Sequence, residues 1–185
     1  MTFAEVIVPE VARAFIARHR DCYKTGKGGF TFSLKEDLGR IQSVLPKKVA
    51  RILDIGCGMA GIDVVLKRIY PAAELWLLDG DGVDPRDGWL DERGAFSSRD
   101  AANALLAANG VKADRWINVN TKEALEADLV ISLASWGYHY PLSTYNVTRG
   151  LCIADLRKAK EPARGKVLVE YPKRNLCAWH AGKRP

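Results

Sequence analysis

One stretch constrains the fold of this chain more than any other: an apolar run, Arg51–Ile55, leads directly into a glycine-rich turn. The turn has the sequence GCGMAG at positions 56–61, and helical periodicity follows from Met59 to Tyr70. A second apolar run, Glu74–Leu78, comes next and ends in Asp79. A buried strand, a glycine turn, a helix and a second buried strand make up a βαβ unit. The chain is therefore predicted to contain a parallel sheet.

The rest of the sequence continues this alternation of strands and helices. Beyond a turn-rich stretch at 80–96, the pattern predicts helices at 99–109 and 142–158 and strands at Trp116–Val119, Asp128–Leu133 and Lys166–Tyr171. Such alternation favours an α/β fold, a doubly wound and mainly parallel sheet. Only five strands are predicted, and the segment Pro172–Pro185 would add at most one short strand. The sheet is therefore expected to be shortened after the fifth strand, with an exposed edge that favours a homodimer or is covered by the N-terminal helices.

The first 48 residues are predicted to form a helical extension, and residues 49–185 the core. One helix is expected from the N-terminus to about residue 22. A second helix is expected from Ser33, as its N-cap, to about Leu45. The basic, glycine-rich stretch between them lacks the spacing of a phosphate-binding loop. We interpret Lys24–Phe32 as a lid that closes over substrate.

The composition is typical of a globular domain in a reducing compartment. Of the 185 residues, 48% are hydrophobic and 27% are charged, as in ordinary folded domains. The four cysteines, Cys22, Cys57, Cys152 and Cys177, form no CxxC pair. This argues against a disulfide framework and a zinc module, so no metal is expected. No apolar stretch approaches the length of a membrane span, and the N-terminus does not resemble a signal peptide. We expect a cytoplasmic protein without membrane contact.

The glycine turn is expected at the carboxyl end of the first strand, where α/β sheets bind ligands. Gly56 and Gly58 would let the backbone approach a ligand closely, and Cys57 between them is interpreted as a small lining side chain rather than a nucleophile. Two cofactor classes compete for such a turn, and an acidic residue at Asp79 does not decide between them. Asp54 helps to decide, because a carboxylate two residues before the first glycine would repel a pyrophosphate and suit an ammonium or sulfonium group.

Two motifs resemble those of the class I S-adenosylmethionine-dependent methyltransferases. The segment ILDIGCG at 52–58 is similar to the first motif of that family, and LWLLD at 75–79 is similar to the second, at a typical spacing. The sequence departs from the family at Ala60, where the third glycine usually stands, with Gly61 one place later. The resemblance implies S-adenosyl-L-methionine as cofactor, with the glycine turn around its methionine part and Asp79 accepting hydrogen bonds from both ribose hydroxyls.

The resemblance also implies which residues surround the adenine. Asn118 and Asn120, at the end of the third predicted strand, are expected to flank the adenine and to hydrogen-bond its edge. Asparagines that cap a turn are an equally good interpretation of both. Gly80 is expected to let the backbone pass close to the adenosine, and a plain turn is the alternative.

The segment after the fourth predicted strand bears on the methyl acceptor. Family members that methylate base nitrogens have an Asn/Asp-Pro-Pro-aromatic turn there, and those that methylate cytosine carbon have a Pro-Cys pair; the sequence LASW at 133–136 has neither. It is followed by Tyr138, His139 and Tyr140. His139 is predicted to be the general base, because an imidazole with a pKa of about 6.5 can accept a proton from a hydroxyl. Tyr138 and Tyr140 are predicted to position the substrate.

These observations favour a methyltransferase that acts on the hydroxyl of a small molecule, and the aromatic faces would suit a flat or a sugar-like one. The excess of basic residues gives a net charge of +6 and a pI near 9.2, which keeps a nucleic-acid substrate such as an RNA ribose as an alternative. A non-catalytic binding module that retains the fold is a second alternative, suggested by the short sheet. A nicotinamide-dependent oxidoreductase is the third.

Overall fold

The computed structural model describes residues 4–18, 29–80, 90–91, 94–95, 97–156, 166–169 and 176–182. Their α-helices are α1 (Glu10–Arg18), α2 (Gly29–Ile41), α3 (Gly61–Ile69) and α4 (Arg99–Ala108). Their strands are β1 (Arg51–Ile55), β2 (Glu74–Asp79), β3 (Leu90–Asp91), β4 (Gly94–Ala95), β5 (Arg115–Asn118), β6 (Ala124–Ser132), β7 (Asn146–Asp155), β8 (Lys166–Val169) and β9 (Leu176–Ala181). No helix in these ranges has both the length and the apolar character needed to cross a membrane.

The predicted doubly wound α/β fold is confirmed. Seven strands form one sheet in the order β5-β2-β1-β6-β7-β9-β8, and β3 and β4 form a separate antiparallel pair. The strands from β5 to β7 in this order are parallel, whereas β9 runs antiparallel to both of its neighbours. The chain builds outward from β1 in both directions, so the strand order reverses between β1 and β6. In such sheets, the ligand crevice lies at this reversal, beyond the carboxyl ends of the strands.

The predicted shortening of the sheet is wrong. The sheet contains two strands beyond the five predicted ones, β7 and β9. Strand β9 is the one short strand that the C-terminal segment was allowed, and it lies between β7 and β8 and pairs with both. This strand follows β8 in the sequence but is inserted before it in the sheet, an arrangement that no local pattern signals. With seven strands the sheet is not shortened, and the shortening was the reason to expect a homodimer. The homodimer stays a prediction.

The predicted helix at 142–158 is also wrong, because Asn146–Asp155 forms β7. Its second half, from Leu151 to Asp155, is buried throughout, and a short run that is apolar on both faces has no period to distinguish a strand from a helix. Gly150 favours the strand. Its φ is 131°, and a β-carbon there would lie 2.4 Å from the carbonyl oxygen of Ala127. Only a glycine permits β7 to lie this close to β6.

The N-terminal helices differ from the prediction at their ends. Helix α1 begins at Glu10, after a non-helical segment at 4–9, and the predicted positions 1–3 and 19–22 lie outside the described residues. Helix α2 begins at Gly29, so Ser33 is not its N-cap. The Oγ of Ser33 instead donates a hydrogen bond to the carbonyl oxygen of Gly29 at 3.0 Å, one helical turn earlier. Of the predicted lid, positions 24–28 lie outside the described residues and positions 29–32 belong to α2.

The two faces of the sheet are covered differently. One face packs against α1 to α4 through the alternate strand residues Ile52, Leu75, Leu77, Leu129, Ile131, Leu151 and Ile153. The other face contributes Leu53, Ile55, Leu78, Ile117, Val130, Cys152 and Ala154. Within the described residues, this second face is covered by the segment that follows β6, through Trp136, Leu142 and Tyr145, and no α-helix packs there. A loop therefore crosses from β6 to β7 where α/β sheets usually have a helix.

Candidate functional site

The glycine turn between β1 and α3 has the backbone conformation that its sequence predicts. Gly56 has a φ of 73° and Gly58 a φ of 54°, both in the left-handed region that glycine adopts without strain. Ala60 also has a φ of 54°, which makes it the one non-glycine residue with positive φ in the described part of the chain. Ala60 thus keeps a glycine-like conformation at the position where the sequence departs from the family motif.

The turn is packed tightly against the loop that follows β6. A β-carbon on Gly56 would lie 2.0 Å from the Oγ of Ser135, so glycine is required here by contact as well as by conformation. Ser132 anchors the same loop, because its Oγ donates to the carbonyl oxygen of Ile55 and accepts from the backbone N–H of Trp136, both at 2.7 Å. The loop after β6 and the turn after β1 therefore form one structural unit at the strand-order reversal.

Asp79, the last residue of β2, is tied to the turn by its carboxylate. Its Oδ2 accepts a hydrogen bond from the backbone N–H of Gly58 at 2.6 Å, and its Oδ1 accepts one from the N–H of Gly80 at 2.8 Å. Burial raises the pKa of Asp79 to about 6, while these two hydrogen bonds and the guanidinium of Arg99 oppose the rise. Asp79 is thus mostly ionised at neutral pH.

Two further carboxyl groups lie beneath the turn. Asp54, in β1, is 3% exposed, and Asp63, in the first turn of α3, is fully buried. The two carboxyl groups are close enough to hydrogen-bond each other. Burial raises the pKa of Asp54 well above its usual value, and the neighbouring carboxylates of Asp63 and Asp79 raise it further.

Cys57 lies among these three carboxyl groups. Its Sγ is 3.9 Å from the Oδ2 of Asp79, and its side chain is 6% exposed. Burial raises the pKa of its thiol well above the usual value, and Asp79, Asp54 and Asp63 raise it further. A thiol that stays protonated is a poor nucleophile, in agreement with the interpretation of Cys57 as a lining residue.

Asn118 and Asn120 lie at the same end of the sheet as Asp79. Asn118 is paired with Asp79 in the β2–β5 register. Its Oδ1 accepts a hydrogen bond from the backbone N–H of Asn120 at 2.8 Å, and both side chains are exposed. Asn118 therefore makes the turn-capping hydrogen bond of the alternative interpretation. It also lies on the strand next to Asp79 in the sheet.

The three predicted site residues of the aromatic segment after β6, Tyr138, His139 and Tyr140, differ in burial and in contacts. Tyr140 is half-buried, and its hydroxyl hydrogen-bonds with that of Ser135, the residue that contacts Gly56. The ring of His139 lies 4.5 Å from that of Tyr138 and 6.3 Å from that of Tyr140. His139 is exposed, and its backbone N–H donates to the carbonyl oxygen of Ser135 at 2.7 Å. Tyr140 therefore contacts Ser135, the residue next to Gly56, whereas the side chain of His139 is exposed.

Two residues of this site were missed by sequence reasoning, Asp63 and Ser135. Asp63 has a detectable signal, an acidic residue in the otherwise apolar stretch from Ile62 to Leu66. Ser135 has none, because its contact with Gly56 joins positions 79 residues apart in the sequence. The structure brings together Asp54, Gly56, Cys57, Gly58, Asp79 and Gly80 at one end of the sheet.

The electrostatics of the turn favour a cationic ligand. Asp54, Asp63 and Asp79 converge on it from three elements, and each raises the pKa of the Cys57 thiol. The N–H of Gly58, which a pyrophosphate would use in a dinucleotide site, donates to the carboxylate of Asp79 instead. An anion at this turn would meet like charge, whereas an ammonium or sulfonium group would be attracted.

No protein-family model matches the sequence, and no curated protein matches it. The chain is similar to solved structures of methyltransferases at low sequence identity. One is the plantazolicin methyltransferase BpumL in complex with a pentazolic desmethylPZN analog and SAH, at a TM-score of 0.46 and 18% identity, covering 76% of this chain and 51% of that one. Another is the O-methyltransferase TomG from Streptomyces achromogenes, involved in tomaymycin synthesis, in complex with SAM, at a TM-score of 0.45 and 17% identity, covering 81% of this chain and 66% of that one.

A third similar structure is coclaurine N-methyltransferase bound to N-methylheliamine and SAH. Its TM-score is 0.47 at 11% identity, and the match covers 82% of this chain and 46% of that one. The chain thus spans about half the length of BpumL and of coclaurine N-methyltransferase. All three proteins are methyltransferases that were solved with SAM or SAH.

Proposed function

We propose that this chain binds S-adenosyl-L-methionine at the turn between β1 and α3 and transfers its methyl group to the hydroxyl of a small, sugar-like molecule. The observation that carries the proposal is the position of Asp54 and Asp79 around one glycine turn. Asp54 is buried beneath the turn, and Asp79 is held at the end of β2 by the N–H groups of Gly58 and Gly80. Asp54 would suit the ammonium of the methionine part of this cofactor, and Asp79 would suit its two ribose hydroxyls.

The chain would hold each part of the cofactor with a different element. Asp79 would accept hydrogen bonds from the ribose hydroxyls, for which its mostly ionised state at neutral pH is suited. Asp54 would face the ammonium of the methionine part, and Gly56 and Gly58 would let the backbone approach it. Asn118, on the strand next to Asp79, would contact the adenine. A dinucleotide suits this site less well, since its pyrophosphate would meet three carboxyl groups.

The acceptor would bind beside the aromatic segment after β6. The bound sulfonium supplies an electrophilic methyl group, so the chain has to align a hydroxyl with it and remove the hydroxyl proton. His139 would accept that proton, and Tyr138 and Tyr140 would orient the acceptor. The hydrogen bond between Tyr140 and Ser135 supports a fixed position for the Tyr140 ring next to the glycine turn.

Calorimetric titration with S-adenosylhomocysteine, with NADH in parallel, tests the cofactor assignment. We expect S-adenosylhomocysteine to bind and NADH not to bind. Asp79→Asn should weaken binding by at least about tenfold, since one charge-assisted hydrogen bond is worth about 1.5–3 kcal/mol. Glu74→Gln is the matched control, because Glu74 begins the same strand at the opposite end of the sheet and pairs with Arg51. Binding of NADH alone would contradict the proposal.

The net charge of +6 supports one alternative, a nucleic-acid substrate. Phosphate contacts release counterions, so the affinity for such a substrate falls steeply with salt. Binding of a short RNA that weakens strongly as salt is raised would favour this alternative. The second alternative, a non-catalytic module, was suggested by a short sheet and loses that support with the seven-stranded one.

A further inference from the structure

Asp63 is the buried ionisable group that the proposed cofactor contacts do not use. It belongs to the first turn of α3 and is completely inaccessible to solvent. Neither of its carboxylate oxygens receives a well-aligned hydrogen bond from any N–H or O–H donor of the described residues. A buried carboxylate without a donor is strongly destabilised, so the state of this group requires an explanation.

The neighbour that explains it is Asp54. The carboxyl groups of Asp54 and Asp63 lie within hydrogen-bonding range of each other. A carboxylate is only an acceptor, so two ionised carboxylates cannot hydrogen-bond, whereas a protonated carboxyl can donate to an ionised one. The contact between Asp54 and Asp63 is therefore that of an acid pair that holds at least one proton.

The groups that face this pair do not supply a positive charge. The Cys57 thiol of the turn stays protonated, and Asp79 of β2 adds a further negative charge that disfavours ionisation of Asp54. Arg99 of α4 acts on Asp79. In α2, the buried Asp37 is paired with Arg40. Within the described part of the chain, the pair therefore keeps its proton because no cation compensates its second charge.

We propose that Asp63 couples ligand binding to proton release: the ammonium group of the cofactor binds at Asp54 and displaces the proton that Asp54 and Asp63 hold. This rests on the proposed function, because it takes the ligand to be S-adenosylmethionine or its product. The proton passes to the solvent buffer, and the ammonium replaces it as the positive charge beside the two carboxylates. Asp63 acts as a positioning residue through Asp54 and makes no contact with the reacting methyl group.

The ionisation behaviour of the pair is consistent with this. Burial raises the pKa of Asp63 to about 7, and hydrogen bonding with Asp54 opposes part of the rise. Burial raises the pKa of Asp54 well above its usual value as well. The affinity for an ammonium ligand should therefore increase with pH around neutrality, as the proton to be displaced becomes easier to lose.

The test is calorimetric titration in two buffers with different ionisation enthalpies, which counts the protons released on binding. With the wild-type protein near pH 7, S-adenosylhomocysteine should release about one proton per molecule bound. 5′-Methylthioadenosine, which lacks the amino-acid part, should bind with almost no release. In Asp63→Asn, whose amide can donate to an ionised Asp54, release on S-adenosylhomocysteine binding should fall below about a third of a proton.

Matched variants test whether the proton release depends on Asp63. Glu10→Gln is the control, because Glu10 lies in the first turn of α1 but is exposed, and it should release as many protons as the wild type. Asp63→Ser, whose hydroxyl can also donate to Asp54, serves if Asp63→Asn does not fold. Binding of S-adenosylhomocysteine without proton release, or equal release by the Asp63 variants, would overturn the inference and leave the proposed function intact. Failure of both ligands to bind would overturn both.

Discussion

Gly56 and Ser135 are in direct contact, although 79 residues separate them in the sequence. A β-carbon on Gly56 would lie 2.0 Å from the Oγ of Ser135 and 2.1 Å from its Cβ. This contact joins the turn after β1 to the loop after β6, the two segments that flank the reversal of strand order. The proposed cofactor side and the proposed acceptor side of the site thus touch at one glycine.

The first prediction concerns this contact. Gly56→Ala should lower the free energy of unfolding by more than the about 1–2 kcal/mol that a left-handed alanine costs, because the methyl group also displaces Ser135. Gly110→Ala is the matched control, since Gly110 has a similar φ of 69° but no atom within 4 Å of its β-carbon position. Urea denaturation of both variants measures the difference.

A double variant tests whether the contact with Ser135 causes the loss of stability. Ser135→Gly removes the side chain that the new methyl group would meet, so Gly56→Ala combined with Ser135→Gly should recover part of the lost stability. If Gly56→Ala and Gly110→Ala lose the same free energy of unfolding, the contact with Ser135 contributes nothing and the prediction is contradicted.

A second prediction concerns Ala60, which has a φ of 54°. Ala60→Gly should raise the free energy of unfolding by up to about 1 kcal/mol, because glycine adopts this conformation without the steric strain of a β-carbon. Gly39→Ala should stabilise for the opposite reason. Gly39 lies in α2 with open space at its β-carbon position, where alanine is favoured by about 1 kcal/mol. Thermal unfolding of both variants tests this, and destabilisation by Ala60→Gly would contradict it.

A third prediction concerns the pH dependence of stability. Asp63 has a pKa of about 7 in the folded protein, above the ordinary value of 3.8. Its contribution to the free energy of unfolding is therefore fully present below about pH 3.8 and is lost as the pH rises through about 7. Relative to Asp63→Asn, the wild type should lose about 1–4 kcal/mol over this interval.

Urea denaturation of wild type and Asp63→Asn at several pH values measures this difference. Glu10→Gln again serves as the control and should run parallel to the wild type. A wild-type curve that stays parallel to that of Asp63→Asn would show that Asp63 has an ordinary pKa in the folded protein.

A fourth prediction concerns His139 as the general base. Tritium transfer from a methyl-labelled donor to a panel of sugar and phenol hydroxyls would identify an acceptor. With that acceptor, His139→Gln should lower kcat by about 10²–10⁴-fold. His180→Gln, which replaces another exposed histidine, in β9, should retain activity. An unchanged kcat in His139→Gln would contradict the assignment of the base to His139.

The local sequence pattern was sufficient to predict the part of the fold that forms the proposed cofactor side of the site. The strands at Arg51–Ile55 and Glu74–Asp79, the helix between them and α4, with Ser98 as its N-cap, follow the sequence closely. Apolar periodicity and the need for glycine at positive φ are properties of neighbouring residues. They can therefore be recognised without knowing the rest of the chain.

The second half of the sheet could not be predicted from local sequence patterns. The second half of the segment that becomes β7 is buried on both faces, so its pattern fits a helix as well as a strand. The position of β9 between β7 and β8 depends on hydrogen bonds to both neighbours, which are non-local. The crossing from β6 to β7 likewise uses an irregular loop anchored by Ser132 and Trp136, for which the sequence offers no period to detect.

The sequence by itself determined the α/β class, the glycine turn and the two acidic residues, Asp54 and Asp79, at the ends of β1 and β2. The tertiary structure decided which other groups meet them. Asp63 meets Asp54 across the turn between β1 and α3, and Ser135 reaches Gly56 only because β6 lies beside β1 in the sheet. Backbone conformation and burial patterns are encoded in consecutive residues, whereas the ionisation of a buried carboxyl group depends on how deeply the folded chain buries it and on which charges the fold places beside it.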